Sequence, residues 1–224
     1  MQKKKYKKYK KYKFFLFDLD GTLLDTAPEF HYSLNHLLKE ENLPKIEYEP
    51  IKNKVSDGAG ALISLGFNIF PDDEEFEKKK QKLLKIYEKV FLNSKPFQNI
   101  DELILNLSKK DISWGIVTNK PKFFAEKIFT NLQWNLKTNI LICPDDVNNM
   151  RKPDPASLKY ALKNSSYSKK ETVYVGDNWR DIEAAHSAQI DSVLALYGYL
   201  DKSSAKNINA TSVVHDPKDI IQFI

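Results

Sequence analysis

The sequence predicts an α/β protein in which a parallel sheet is flanked by helices and interrupted by an all-helical insert. Short apolar runs alternate with helical patterns along most of the 224 residues, as in parallel sheets with right-handed crossovers. The first run, Phe14–Phe17, contains no charge and fits a strand buried on both faces. Residues 27–93 show helical periodicity only, which places the insert directly after this strand.

The remaining elements follow in order along the chain. Thr26 and Glu29 have the spacing of a capping box, which predicts the start of the first insert helix. Later insert helices are predicted after Pro50, around Leu62 and from Phe76 to Phe91. Strands alternating with helices are then expected, with a closing helix after Pro217; these strands are Trp114–Thr118, Asn139–Cys143, Thr172–Gly176, Ser192–Leu196 and Ser212–Val214. The core domain therefore comprises residues 13–26 and 94–224.

Residues 1–12 are predicted to be a basic, disordered tail. Eight lysines lie between residues 3 and 13, and without them the net charge changes from +5 to −3. The tail thus dominates the charge of the chain, while the body is mildly acidic. An alternative hypothesis is that the chain is a nucleic-acid-binding protein that uses this basic arm, with tyrosines available for stacking.

The composition of the chain indicates the cellular compartment in which we expect it to act. The chain has a single cysteine, Cys143, so an internal disulfide is excluded, and a reducing compartment is indicated. No apolar run is long enough for a membrane span. We expect a cytoplasmic monomer or homodimer that acts on a small molecule, with neither a membrane nor a nucleic acid as its partner.

Two carboxylates end the first strand. Asp18 and Asp20 are followed by Gly21 and Thr22, which allow the backbone to turn away from the sheet. A carboxylate is costly to bury unless it binds a cation or takes part in chemistry. Because ligands of open α/β sheets bind beyond the carboxyl ends of the strands, this pattern predicts a metal site at that edge.

Three more polar motifs follow at strand ends or before helices. Thr118-Asn119-Lys120 follows the second predicted strand, and its hydroxyl and backbone N–H groups are suited to phosphate oxygens. Lys152 lies in Arg151-Lys152-Pro153-Asp154-Pro155, where the prolines stiffen its approach. Asp177 and Asp181 lie at the end of the fourth strand and at the start of the next helix.

The four motifs resemble, in type, order and position, those of the haloacid dehalogenase superfamily in its phosphatase form. Asp18-Leu19-Asp20-Gly21-Thr22 carries most of this resemblance. It implies a Rossmann-like core in which residues 27–93 form a helical cap over the active site. It also implies phosphatase or mutase activity rather than dehalogenation, because the dehalogenases lack an acid at the position of Asp20, and a halide needs no proton to leave.

The resemblance implies a role for each motif residue in hydrolysing a phosphomonoester. Asp18 is the implied nucleophile and forms an aspartyl-phosphate, while Asp20 is the general acid and base. Mg²⁺ is the implied cofactor, held by the side chains of Asp18 and Asp177 and the backbone carbonyl of Asp20. The resemblance implies that the phosphoryl group is held by Thr118, Asn119 and Lys152. It also implies that Asp181 orients either a metal-bound water or Lys152.

The substrate is indicated less sharply. Val55–Leu62 resembles the glycine-containing cap loop of phosphoglycolate phosphatases, which implies that Gly58 lets the backbone approach an anionic substrate. Other stretches, such as Tyr197-Gly198-Tyr199, resemble the N-acetylmuramic acid 6-phosphate phosphatases. The alternative reaction is that of a β-phosphoglucomutase, which uses a cap histidine. That reading is weakened because Phe30 occupies the expected position and His31 comes one residue later.

Overall fold

The structure of the protein, a computed structural model, describes residues 9–200 and 204–224. A six-stranded sheet forms the centre, with the strands in the order β5-β4-β1-β6-β7-β8 and every neighbouring pair parallel. The predicted parallel sheet is confirmed. Its strands are β1 (Phe14–Phe17), β4 (Ser113–Val117), β5 (Leu141–Ile142), β6 (Thr172–Gly176), β7 (Asp191–Ala195) and β8 (Ser212–Val214). Strand β5 is shorter than the five residues predicted for it.

Strand β1 lies in the middle of the sheet and is covered on both faces. All four of its side chains are fully buried. Phe15 and Phe17 pack into the larger apolar cluster, while Phe14 and Leu16 pack into a smaller cluster on the opposite face. Burying each of these side chains stabilises the fold by roughly 1.5–3 kcal/mol. The residues that follow β1 therefore leave from a rigid position at the carboxyl edge.

Helices cover the sheet and form the insert. The insert contains α1 (Ala27–Glu40), α2 (Tyr48–Val55), α3 (Ala59–Phe67) and α4 (Phe76–Tyr87). The flanking helices are α5 (Ile100–Lys109), α6 (Lys122–Asn131), α7 (Ala156–Lys163) and α8 (Trp179–Ala188). The predicted closing helix is a 3-10 helix, Pro217–Phe223. Within residues 9–200 and 204–224, no helix combines the length and the apolar character needed to cross a bilayer.

Two short strands connect the insert to the body. Strand β2 (Leu24–Asp25) pairs antiparallel with β3 (Lys95–Pro96), so the chain enters and leaves the insert side by side. The insert also packs directly on the body, because the ring of Tyr87 at the end of α4 lies 5.4 Å from that of Phe124 in α6. The position of the insert relative to the sheet edge is therefore set by both a covalent connection and an apolar contact.

The start of α1 differs from the prediction. The capping box predicted for Thr26 and Glu29 is wrong. The Thr26 hydroxyl is buried and has no hydrogen-bond partner in the described part of the chain, and the Glu29 carboxylate accepts from Ser94 Oγ at 2.7 Å. The backbone N–H groups of Thr26 and Ala27 instead donate to the hydroxyl of Tyr199. A side chain from the far end of the chain thus satisfies the free donors of this helix.

The end of the basic tail packs on the core. Tyr12 is 3 % exposed, and its hydroxyl donates to Asp191 at 2.9 Å. Lys11 donates to the backbone carbonyls of Gln222 and Ile224, and Lys13 pairs with Glu171. Residues 9–12 are thus ordered against the core, unlike the tail predicted for 1–12. Residues 1–8 lie outside the described residues. They include most of the lysines on which the nucleic-acid hypothesis depends.

Candidate active site

Three acidic side chains converge at the carboxyl edge of the sheet. Asp18 follows β1 and Asp177 follows the adjacent parallel strand β6, where Phe17 is in register with Val175. Asp181 joins them from the first turn of α8. One carboxylate oxygen from each residue lies within 4.8 Å of the other two, and all three residues are buried.

The buried side chain of Lys152 contacts this group of acids, Asp18, Asp177 and Asp181, which we call the acid cluster. Lys152 Nζ lies 2.7 Å from Asp18 Oδ1 and 2.7 Å from Asp181 Oδ1. Its backbone is clamped by the Asn119 side chain, which accepts from Lys152 N at 2.8 Å and donates to Lys152 O at 3.0 Å. The lysine loop and the loop after β4 therefore hold each other, and the ammonium is aimed at the cluster.

The acid cluster carries more negative charge than its lysine can balance. Burial is the largest cause that raises the pKa of Asp18 to about 7; the positive charge of Lys152 opposes it, and the negative charge of Asp181 adds to it. Burial also raises the pKa of Asp177 well above its usual range, with Asp181 and Asp18 adding to the effect. For Lys152, burial opposes the charged form, but Asp18 and Asp181 together raise its pKa. A second cation would relieve the excess charge.

Asp177 presents a free oxygen to the cluster. Its Oδ2 accepts from the backbone N–H of Tyr199 at 2.8 Å and from Ser56 Oγ at 3.2 Å. Its Oδ1 is buried and has no hydrogen-bond partner among the described residues. Gly21 has φ +85°, and a Cβ there would lie 2.3 Å from Asp177 Oδ2. A buried unpaired carboxylate oxygen among two other carboxylates fits a hard divalent cation.

Asp20 faces a different cation. Its two carboxylate oxygens lie 3.0 and 3.2 Å from Lys120 Nζ, which also donates to Tyr87 OH at 2.9 Å. Thr118 is buried at the end of β4, and its hydroxyl accepts from the backbone N–H of Lys120 at 3.1 Å. The side chain of Asp20 therefore lies outside the acid cluster. The expected contact of Asp20 with a metal involves its backbone carbonyl and not this side chain.

The turn between α2 and α3 brings the insert to the site. Ser56 contacts Asp177, as above, and Asp57 pairs with Arg180 Nη2 at 2.8 Å. Gly58 has φ +87°, and a Cβ at this position would meet no atom within 4 Å. The predicted glycine loop therefore borders both the acid cluster and open space.

The structure brings together the predicted motif residues and adds others. Asp181 contacts Lys152, one of its two expected partners, and also lies in the acid cluster as a possible ligand. Five site residues were not assigned a role from the sequence: Ser56, Tyr87, Lys120, Tyr174 and Tyr199. The hydroxyl of Tyr174 accepts from Lys152 Nζ at 2.6 Å. Lys120, Ser56 and Tyr199 offered a signal, because they lie in stretches singled out in the sequence (Thr118-Asn119-Lys120, Val55–Leu62 and Tyr197-Gly198-Tyr199). His31 packs edge-to-face on Tyr48, with ring centroids 5.4 Å apart.

Comparisons with known proteins relate this chain to one family of hydrolases. A family described as haloacid dehalogenase-like hydrolase matches residues 15–195. The chain is 36 % identical over 211 residues to an N-acetylmuramic acid 6-phosphate phosphatase of Pseudomonas putida, covering 93 % of this chain and 94 % of the relative. It is 37 % identical over 185 residues to a phosphoglycolate phosphatase of Xanthomonas campestris pv. campestris, covering 82 % and 83 %.

A solved structure shares the fold along nearly the whole chain. The crystal structure titled a predicted phosphoglycolate phosphatase from Haemophilus somnus superposes with a TM-score of 0.82 at 26 % identity. The superposition covers 94 % of this chain and 97 % of that one. The family match and the similarity to curated relatives confirm the kinship predicted from the motifs. The chain belongs to the haloacid dehalogenase-like hydrolases and is an enzyme of their phosphatase type.

Proposed function

We propose that the protein is a Mg²⁺-dependent phosphomonoesterase that acts on a small phosphorylated metabolite of the cytoplasm through an aspartyl-phosphate on Asp18. The observation that carries this proposal is the acid cluster with Lys152 at 2.7 Å from Asp18. Buried carboxylates around one ammonium suit a reaction in which an anionic phosphoryl group is attacked by an anionic nucleophile.

The chemistry of the acid cluster favours Mg²⁺ as the cofactor. Asp18, Asp177 and the backbone carbonyl of Asp20 would hold the ion, with Asp181 beside them. All these donors are hard oxygen atoms, which suit Mg²⁺ better than a softer metal. When bound, the ion supplies positive charge that neutralises the phosphoryl oxygens.

Each side chain of the site has its own role in the reaction. An Asp18 oxygen attacks phosphorus as the bond between phosphorus and the ester oxygen breaks, and Asp20 gives its proton to that departing oxygen. The carboxylate of Asp20 next takes a proton from the water that hydrolyses the aspartyl-phosphate. Thr118, the Asn119 backbone N–H and Lys152 hold the phosphoryl oxygens throughout.

The relatives suggest the substrate class. One is named for 2-phosphoglycolate and the other for N-acetylmuramic acid 6-phosphate, and we propose that the substrate of this chain is one of these two esters. The turn containing Ser56 and Gly58 borders the site from the insert. We therefore propose that residues 27–93 form a cap that contributes to substrate choice.

The test is a phosphate-release assay with Mg²⁺ on the purified protein. The substrates are 2-phosphoglycolate, N-acetylmuramic acid 6-phosphate, hexose phosphates and nucleoside monophosphates. We expect turnover of one of the first two, its abolition by Asp18→Asn, and no effect of the matched control Asp72→Asn, which lies in an exposed turn of the insert. Near-native rates for Asp18→Asn would contradict the proposal.

A further inference from the structure

Lys120 is a buried lysine that the proposed reaction does not use. It is 6 % exposed, whereas lysine is rarely buried unless it is paired. Its ammonium contacts both carboxylate oxygens of Asp20, at 3.0 and 3.2 Å. Burial opposes its charged form, but the charge of Asp20 and the contact with Tyr87 together raise the pKa of Lys120, so the ammonium stays protonated.

The other partners of Lys120 come from the insert. Its Nζ donates to Tyr87 OH at 2.9 Å and lies 5.0 Å from the centre of the Tyr87 ring. Phe30 of α1 stacks on Tyr87 with ring centroids 4.0 Å apart and contributes a second ring face 5.5 Å from the ammonium. One side of the ammonium is thus occupied by the insert, and the other by Asp20.

This geometry restricts the carboxylate of Asp20. Because one ammonium contacts both oxygens, the head of the carboxylate is held pointing at Lys120, which limits the positions that the Asp20 side chain can adopt. Proton transfer to a departing oxygen requires such alignment, since small displacements of a catalytic group cost large factors in rate. Because Tyr87 is the last residue of α4, the orientation of Asp20 depends on the insert being seated against the core.

We propose that Lys120 is a positioning residue for Asp20 and that Tyr87 couples this positioning to the seating of the insert. The inference rests on the proposed function, in which Asp20 is the general acid and base. Lys120 keeps its three protons throughout. The proton given to the leaving oxygen comes from Asp20 as the phosphorus–oxygen bond breaks, and Asp20 regains a proton from the attacking water.

The leaving group distinguishes this role from a structural one. An alkyl phosphate such as 2-phosphoglycolate releases a basic alkoxide that needs the proton, whereas para-nitrophenyl phosphate releases a stable phenolate that does not. For Lys120→Met we expect roughly a 100-fold loss of kcat with the alkyl ester, at the low end of general acid–base contributions. With the nitrophenyl ester we expect a loss of at most about threefold, because Asp18 and Lys152 are untouched.

Three further variants complete the experiment. Tyr87→Phe removes only the hydroxyl, and we expect a smaller loss, again confined to the alkyl ester. Lys120→Arg keeps the charge and can contact both oxygens, so it should recover part of the alkyl-ester rate lost in Lys120→Met. The matched control is Lys122→Met, in which a partly exposed lysine paired with Asp146 is lost; both rates should stay unchanged.

The ratio of the two rates is measured within one preparation and is therefore independent of the folded fraction. Equal losses on both esters in Lys120→Met and Tyr87→Phe would overturn the inference, since they would indicate a structural or phosphate-binding role. Unchanged rates on both esters would overturn it as well. The alkyl ester used is whichever of 2-phosphoglycolate and N-acetylmuramic acid 6-phosphate the wild type turns over. A wild-type protein that hydrolyses neither of these with Mg²⁺ would instead refute the proposed function, and the inference with it.

Discussion

Replacing Asp177 by asparagine should stabilise the metal-free protein and abolish its response to Mg²⁺. Asp177 is fully buried, and its Oδ1 has no hydrogen-bond partner within residues 9–200 and 204–224, while Asp18 and Asp181 lie close by. In Asp177→Asn the carbonyl oxygen can still accept from Tyr199 N. The new amide NH₂ can occupy the position of the unpaired oxygen, where it would donate to a neighbouring carboxylate instead of repelling it.

The magnitude follows from two opposite effects. When whole buried ion pairs are replaced by well-packed uncharged residues, the outcome ranges from neutral to a stabilisation of roughly 1–4 kcal/mol. For the single change Asp177→Asn we expect about 1 kcal/mol, which for a chain of this size means a rise in Tm of about 2–4 °C without metal. For the wild type, Mg²⁺ at one hundred times its Kd should add about 2.7 kcal/mol. That gain corresponds to a Tm increase of about 5–11 °C.

The assay is thermal unfolding of both proteins at pH 8, in EDTA and in saturating Mg²⁺. We expect the variant to melt above the wild type in EDTA and to show no shift with Mg²⁺. The matched control, Asp72→Asn, should behave as the wild type in both buffers. A variant that melts below the wild type in EDTA and keeps the Mg²⁺ shift would refute the assignment of Asp177 to the metal site.

Three other perturbations test separate features. Folding raises the pKa of Asp18 from 3.8 to about 7, so the folded state binds this proton more tightly. The resulting stabilisation is full below pH 4 and is lost, by about 4 kcal/mol, as the pH rises to 7. Urea unfolding in EDTA should therefore show a smaller pH-dependent loss in Asp18→Asn than in the wild type, the remainder coming from Asp177, whose pKa is also raised. Tyr199→Phe should lower the free energy of unfolding by roughly 1–3 kcal/mol, because the Thr26 N–H loses its acceptor and the Ala27 N–H keeps only Asp25 Oδ1 at 3.3 Å. A loss no greater than that of the exposed Tyr160→Phe would contradict this. Gly21→Ala, with a Cβ 2.3 Å from Asp177 Oδ2 at φ +85°, should destabilise the protein and remove the Mg²⁺-induced Tm shift, and a retained shift would show that the close contact is unimportant.

The placement of the motif residues could be predicted because it depends on a local pattern and one general rule. The apolar run Phe14–Phe17 indicated a buried strand, and the carboxyl ends of parallel strands meet at one edge. This rule places Asp18 and Asp177 at the same edge; that they meet there follows from β1 and β6 being neighbours in the sheet, which only the family resemblance implied. Lys152 and Asp181 could be placed nearby because the motifs resemble those of a known family.

Contacts that depend on the docking of the insert could not be predicted. Lys120 is 100 residues from Asp20 and 33 from Tyr87, and no periodicity relates such positions. Nor could the cap of α1 be predicted, because the hydroxyl of Tyr199 comes from the opposite end of the chain. Strands β2 and β3 have two residues each, which is too short for an alternating pattern.

The most direct test of the central claim is chemical trapping of the phosphorylated nucleophile. Borohydride added during turnover with Mg²⁺ reduces an acyl phosphate on aspartate to homoserine, which mass spectrometry of the peptide Phe14–Lys39 would locate. The account predicts homoserine at position 18, dependent on substrate and absent from Asp18→Asn. Turnover with an unmodified Asp18, or homoserine at another position, would contradict it.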